Sequence, residues 1–134
     1  MRFDKSQFQP FKFSESEIKQ YYQNALKDLK IAKEDDFPEV RFTYSYQALI
    51  KIGITLIAKV GQVKVRSIPG HHRIILEKLS EILKDKEILD VGNAIRSKRN
   101  TDFYGGGEII TEKEAREYLE FVENVLKKVE KLIL

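Results

Sequence analysis

Between Glu39 and Val60 the chain carries apolar side chains on more than one helical face, with Phe42, Tyr46, Leu49, Ile50, Ile52, Ile54, Leu56, Ile57 and Val60. A segment of this kind cannot rest on a surface; it has to be surrounded by other elements. Its β-branched run would also suit a strand. Strands of about 20 residues are rare, however, so length decides for a central helix over about 39–60.

The rest of the chain supplies what such a helix needs around it. Ser14-Glu15-Ser16-Glu17 offers a cap and early acidic residues, and Ile18, Tyr21 or Tyr22, Ala25, Leu29 and Ala32 recur at helical spacing. A first helix is therefore expected over about 15–34, broken by Asp35-Asp36-Phe37-Pro38 because the residue before proline avoids the helical region. Gly61 is a helix stop, and the Val63-Lys64-Val65 alternation after it has no partner strand in view. After Ser67-Ile68-Pro69-Gly70, a third helix is expected over about 71–84 on Ile75, Leu79, Ile82 and Leu83. A fourth, over about 86–104, turns Ile88, Val91 and Ile95 inward and ends at the Gly105-Gly106-Gly107 run. Thr111-Glu112-Lys113-Glu114 is a capping box for a last helix with Ala115, Leu119, Val122, Leu126, Val129 and Ile133 in one stripe. The fold class expected is all-α: an antiparallel up-and-down bundle of four or five helices, one domain over 1–134 with an irregular arm at 1–13.

Composition removes several kinds of function. There is no cysteine among the 134 residues, so disulfides, a thiolate nucleophile and Cys-based zinc or iron–sulfur sites are excluded. Two histidines leave any metal site leaning on carboxylates, and no metal or cofactor is expected. The opening segment, Met1 to Phe13, lacks the apolar core and small-residue cleavage site of a signal peptide. The most apolar stretch, Ala48 to Val60, is interrupted by Lys51 and Lys59 and is too short to span a bilayer, so a cytoplasmic protein with no membrane partner is expected. The 24 basic residues nearly balance 21 acidic ones; the net charge of +3 permits a nucleic-acid partner without arguing for one.

Two segments do not read as ordinary bundle surface. Arg96, Arg99 and Asn100 share one helical face, with Gly92 on the same side and Tyr104 one turn beyond Asn100. Two guanidiniums, a carboxamide and a phenol converging there, with Asp102 beside them, would suit a phosphate or an RNA backbone. The simpler explanation is that basic residues near a helix C-terminus complement its dipole. The second segment is Arg66-Ser67-Ile68-Pro69-Gly70-His71-His72-Arg73, whose two histidines could bind phosphate or metal or move protons. Successive helical residues point about 100° apart, so His71 and His72 cannot chelate one ion unaided, and spacing alone favours one capping and one solvated ring. Phe3, Phe8, Phe11, Phe13, Tyr21 and Tyr22 could form a stacking platform for bases, but core packing and docking of the arm explain them more simply. The face of the last helix bearing Glu120, Glu123, Lys127 and Lys128 reads as solvated.

From about Tyr44 to the C-terminus the pattern resembles the HEPN superfamily. The points of likeness are Gly70-His71-His72-Arg73, a helix, then Arg96-Ser97-Lys98-Arg99-Asn100 closing on Tyr104 and a final amphipathic helix. The resemblance implies a small prokaryotic helical module, often encoded beside a minimal nucleotidyltransferase, with paired sites facing each other across a homodimer. Active members of the family are metal-independent ribonucleases, some of them toxins, with an arginine, a polar residue and then a histidine four to six residues after the arginine. Arginine would stabilise a pentacoordinate phosphate, and histidine would move a proton to or from the ribose hydroxyl or the leaving oxygen. Here Arg99 matches the motif arginine, Asn100 the polar residue, and Tyr104 stands in the place of the histidine. A phenol of pKa about 10 is a poor base at neutral pH, and no histidine follows Arg99. Two expectations follow. One is a module binding nucleotide, RNA or a partner nucleotidyltransferase through Arg96, Arg99, Asn100, Asp102 and Tyr104. The other is a ribonuclease in which His71, His72 or Tyr104 serves beside Arg99. In one toxin branch the partner modifies a motif tyrosine, which would make Tyr104 an acceptor.

Overall fold

The computed structural model describes residues 2–105 and 110–133, with side chains outside 100–105. Strand β1 (Phe8–Pro10) leads into helix α1 (Glu15–Glu34), followed by α2 (Pro38–Gly61), strand β2 (Val63–Val65), α3 (His71–Leu83), α4 (Lys86–Gly105) and α5 (Glu112–Ile133). The helices begin where local chemistry starts them. Ser14 Oγ accepts from Glu17 N at 3.1 Å while Ser14 N donates to Glu17 Oε1 at 3.0 Å, a complete capping box. Pro38 occupies the first turn of α2, and Thr111 and Glu114 repeat the reciprocal cap at α5.

Helix α2 is the centre of an all-α bundle, packed against α1, α5 and α3, while α4 lies chiefly on α3. Leu49, Ile52 and Leu56 of α2 are fully buried, meeting Ile75 and Leu79 of α3, Ile88 and Ile95 of α4, and Val122 and Val129 of α5 in one core. Each such side chain contributes about 1.5–3 kcal/mol by leaving water. Among the described residues no helix is long and apolar enough to cross a membrane.

The N-terminal arm differs from expectation. It is not irregular throughout: Phe8–Pro10 folds back as the antiparallel partner of Val63–Val65, pairing Phe8 with Val65 and Pro10 with Val63. The strand after α2 therefore has the partner it was thought to lack. Lys78, almost fully buried, pins the arm. Its Nζ donates to the Arg2 carbonyl at 2.6 Å and to Glu81 Oε2 at 2.9 Å, with the Phe3 ring 4.8 Å away. The aromatic residues of this region divide. Phe8, Phe13 and Tyr22 are buried as core, whereas Tyr21 is half-buried and Phe11 remains 39% exposed. The α5 face also departs from a purely solvated one, since Glu123 pairs with Lys33 at 3.4 Å and Lys128 with Asp85 at 2.7 Å.

Candidate functional site

Gly70 takes a left-handed conformation (φ 77°), which a side chain would disfavour, and so turns the chain into α3 with both histidines in its first turn. His71 Nδ1 lies 3.1 Å from the carbonyl oxygen of Ile68, a contact that requires Nδ1 to donate and ties this ring to the preceding loop. His72 reaches across to α2 instead, its Nδ1 2.7 Å from the hydroxyl of Tyr46. The two imidazoles touch edge to face at 4.5 Å. Neither is the freely solvated ring that spacing suggested, for both are half-buried.

Above Tyr46 lies Arg99 of α4, its guanidinium 5.3 Å from the centre of the phenol ring. Arg99, His72 and Tyr46 line a pocket of about 240 Å³ together with Ile50, Lys51 and Ile54 of α2. Lys51 Nζ is 2.7 Å from Oδ2 of buried Asp28, so its charge is partly taken up. Among the described residues no carboxylate lines the pocket itself. Glu77, which could have neutralised Arg99, pairs with Arg73 at 3.0 Å.

Burial and charge set the protonation states. Burial pushes the Tyr46 hydroxyl up to about 12, against the pull of Arg99 and Arg96. Tyr46 therefore stays a neutral phenol. Burial, His71, Arg99 and Arg96 together bring His72 down to about 4, so its ring is neutral at physiological pH. In the tautomer that accepts from Tyr46 at Nδ1, His72 carries its single ring proton on Nε2 and is a neutral donor beside the guanidinium. That combination can bind a phosphate oxygen. It is poorly suited to general acid catalysis, which needs the protonated ring near neutral pH.

The candidates read from the sequence are thus partly assembled. Arg99 and His72 meet in one pocket, and Arg96 acts on both His72 and Tyr46 through its charge. The buried Nε of Arg96 has no hydrogen-bond partner among the described residues. His71 stands behind His72, engaged with the loop. The side chains of Asn100, Asp102 and Tyr104 lie outside those described. Gly92 does not open a way for a ligand: a Cβ there would fall 2.8 Å from Leu76 Cδ2, so its missing side chain seats α4 on α3. Lys98, between the two arginines, is paired with Glu114 of α5. Among the described residues no three His, Asp or Glu side chains converge to hold a metal ion.

Three polar residues of the pocket escape sequence reasoning: Tyr46 reads as an apolar position of α2, Lys51 as an interruption of its apolar run, and Gln47 as neither. A signal was available for the first: a tyrosine at the centre of an aliphatic helix still needs a partner for its hydroxyl.

Comparison with known proteins gives one positive finding. A family model described as HEPN domain matches residues 18–132. No curated protein and no solved structure matches the chain.

Proposed function

This chain belongs to the HEPN family, and on that premise we propose that it binds RNA, holding a backbone phosphate at the Arg99–His72–Tyr46 pocket. The observation that carries this reading is that an arginine of α4 and a neutral imidazole of α3 open into one pocket that no carboxylate lines among the described residues. A guanidinium stacked on a phenol is presented in a fixed orientation, so little freedom is lost when it takes a phosphate. Arg96 adds positive potential to the pocket, and the sequence offers Asn100, Asp102 and Tyr104 as further ligand-binding residues of the same segment. In this reading the working unit is a homodimer with its two Arg99 faces turned to a shared groove. A nucleotidyltransferase is the protein partner, with Tyr104 available as the acceptor of its transfer.

A second reading is favoured by one specific observation. His72 shares the pocket of Arg99 and so provides an imidazole where the segment after Arg99 has none. A metal-independent endoribonuclease would use the other tautomer of His72, with Nδ1 donating to the Tyr46 oxygen and Nε2 accepting the ribose 2′-hydroxyl proton, while Arg99 stabilises the pentacoordinate phosphate. A pKa of about 4 makes His72 a weak base, and this is why binding is placed first.

One pair of assays separates the readings. Fluorescence anisotropy with a labelled single-stranded RNA should show binding that Arg99→Ala weakens at least about tenfold, the loss of one charge-assisted contact of roughly 1.5–3 kcal/mol. Incubation of the same RNA in EDTA should leave it intact. Cleavage that vanishes in both Arg99→Ala and His72→Ala would instead establish the nuclease, and absence of binding by the unaltered protein would refute the RNA reading.

A further inference from the structure

The Arg99–His72 pocket does not end at Ile54. A second pocket, of about 330 Å³, is lined by Phe13, Tyr21, Asn24, Lys51, Ile54 and Lys64, and it shares Lys51 and Ile54 with the first. The two adjoin along α2 through these shared side chains, as neighbouring stretches of one groove-like face. Tyr46, Ile50 and Ile54 recur four residues apart on the same helical face, which spans about 12 Å at roughly 1.5 Å per residue.

The groove changes character along its length. Its α4 end offers a guanidinium and an imidazole; its α1 end is mostly apolar, with half-buried Tyr21 and Ile54 beside buried Phe13. The Phe13 and Tyr21 rings meet edge to face at 5.6 Å. Phe11 extends the aromatic wall 4.6 Å from Phe13, under the ammonium of Lys64 at 4.8 Å. Asn24 is exposed at the rim, and its Oδ1 accepts from Gln20 Nε2 at 3.2 Å, which leaves its amide N–H groups to donate. Among the described residues no carboxylate lines either pocket, whereas Arg99, Lys51 and Lys64 mark the two ends and the middle.

An aromatic slot with an amide donor at its rim, between cations spaced along one line, fits a polyanion that carries flat rings. An apolar protein segment would use the slot but leave the cations unanswered. Building on the RNA reading above, we infer that the groove is the path of a single strand. A phosphate sits at Arg99, the backbone passes Lys51, and a nearby base enters the α1 end against Tyr21 and Ile54, its edge meeting Asn24. Lys64 holds the phosphate beyond that base. The base at this position is therefore bound by stacking, which tolerates any base, with Asn24 favouring those that present an acceptor.

The test uses the full chain and two labelled eight-nucleotide strands, one an ordinary single-stranded RNA and the other carrying abasic sugars throughout. Anisotropy titrations compare the unaltered protein with Tyr21→Ala, Lys64→Glu and Arg99→Ala. Tyr21→Ala should weaken RNA binding at least about fivefold and leave the abasic strand unaffected, because stacking on one aromatic ring is worth roughly 1–3 kcal/mol. Lys64→Glu, on an exposed strand position that does not endanger the fold, should weaken both strands. If Arg99→Ala loses binding while Tyr21→Ala and Lys64→Glu bind RNA as the unaltered protein does, the strand leaves the Arg99 pocket by another route. The path is then overturned and the RNA reading stands. Equal affinity of the unaltered protein for the two strands would likewise overturn the base slot. No RNA binding at all overturns both.

Discussion

An imidazole enclosed by a phenol, a second imidazole and two guanidiniums gives up hydration when it takes a proton, and it meets only positive charge in return. That is the position of His72, and it has a consequence for stability. In the unfolded chain the ring titrates near 6.5; in the folded chain it titrates near 4. Between those values the unfolded chain holds one more proton than the folded one, so stability rises with pH across that window. Stability should be greatest above about pH 6.5 and fall as the pH drops towards 4. Thermal melts followed by circular dichroism should show this decline, and His72→Gln, which cannot titrate, should flatten it relative to the unaltered protein. Equal declines in the two proteins would mean that His72 is not held neutral. None of this was legible in the sequence. Gly70-His71-His72 marked a place, but the phenol that receives His72 lies 26 residues away on another helix. Arg99 was legible because its neighbours at Arg96 and Asn100 repeat at helical spacing within the one segment.

Helix boundaries were legible for the same local reason. The caps at Ser14 and Thr111, and the breaks at Pro38 and Gly70, act within a few residues of themselves. The pairing of Phe8–Pro10 with Val63–Val65 spans the whole of α1 and α2, and no short-range signal reports it. Helix seating is similarly hidden, and two glycines expose it. A Cβ on Gly53 would fall 2.5 Å from Ile75 Cγ2, and one on Gly92 would fall 2.8 Å from Leu76 Cδ2. Replacing a helical glycine by alanine gains about 1 kcal/mol in propensity. Overpacking a close contact costs about 1–3 kcal/mol. At Gly53 the obstacle is a β-branched methyl group with little rotamer freedom, so overpacking wins. At Gly92 it is the flexible end of a leucine, which can turn aside. Gly53→Ala should therefore destabilise by up to about 2 kcal/mol in urea titrations, and by more than Gly92→Ala, which stays within about 1 kcal/mol of the unaltered protein. The reverse order would show that α4, not α2, is the tighter seat of α3.

Charge is distributed over the molecule so that little of the net +3 is felt at a distance, yet the α2 groove keeps its cations. Carboxylates are drawn into pairs elsewhere: Glu81 with Lys78, Glu114 with Lys98, Asp85 with Lys128 and Glu123 with Lys33. The more exposed of these pairs add little stability, but all of them remove positive charge from other faces as candidates for a polyanion. Along the groove only Lys51 has such a partner, in Asp28, while Arg99 and Lys64 have no carboxylate within ion-pair distance among the described residues. This sets the salt dependence of the binding proposed above. Each phosphate neutralised on a single strand contributes a slope of about −0.7 to log K against log salt. Arg99, Lys64 and a partly committed Lys51 should give a total near −2, far shallower than a molecule that binds nucleic acid through its whole surface. Anisotropy titrations between about 50 and 200 mM salt would measure it, and Lys64→Gln should reduce the magnitude by about 0.7. A slope near zero would mean that phosphates are not what the groove holds. A slope several times steeper that Lys64→Gln does not change would place the contacts on the dispersed surface lysines, where the sequence composition alone would have put them.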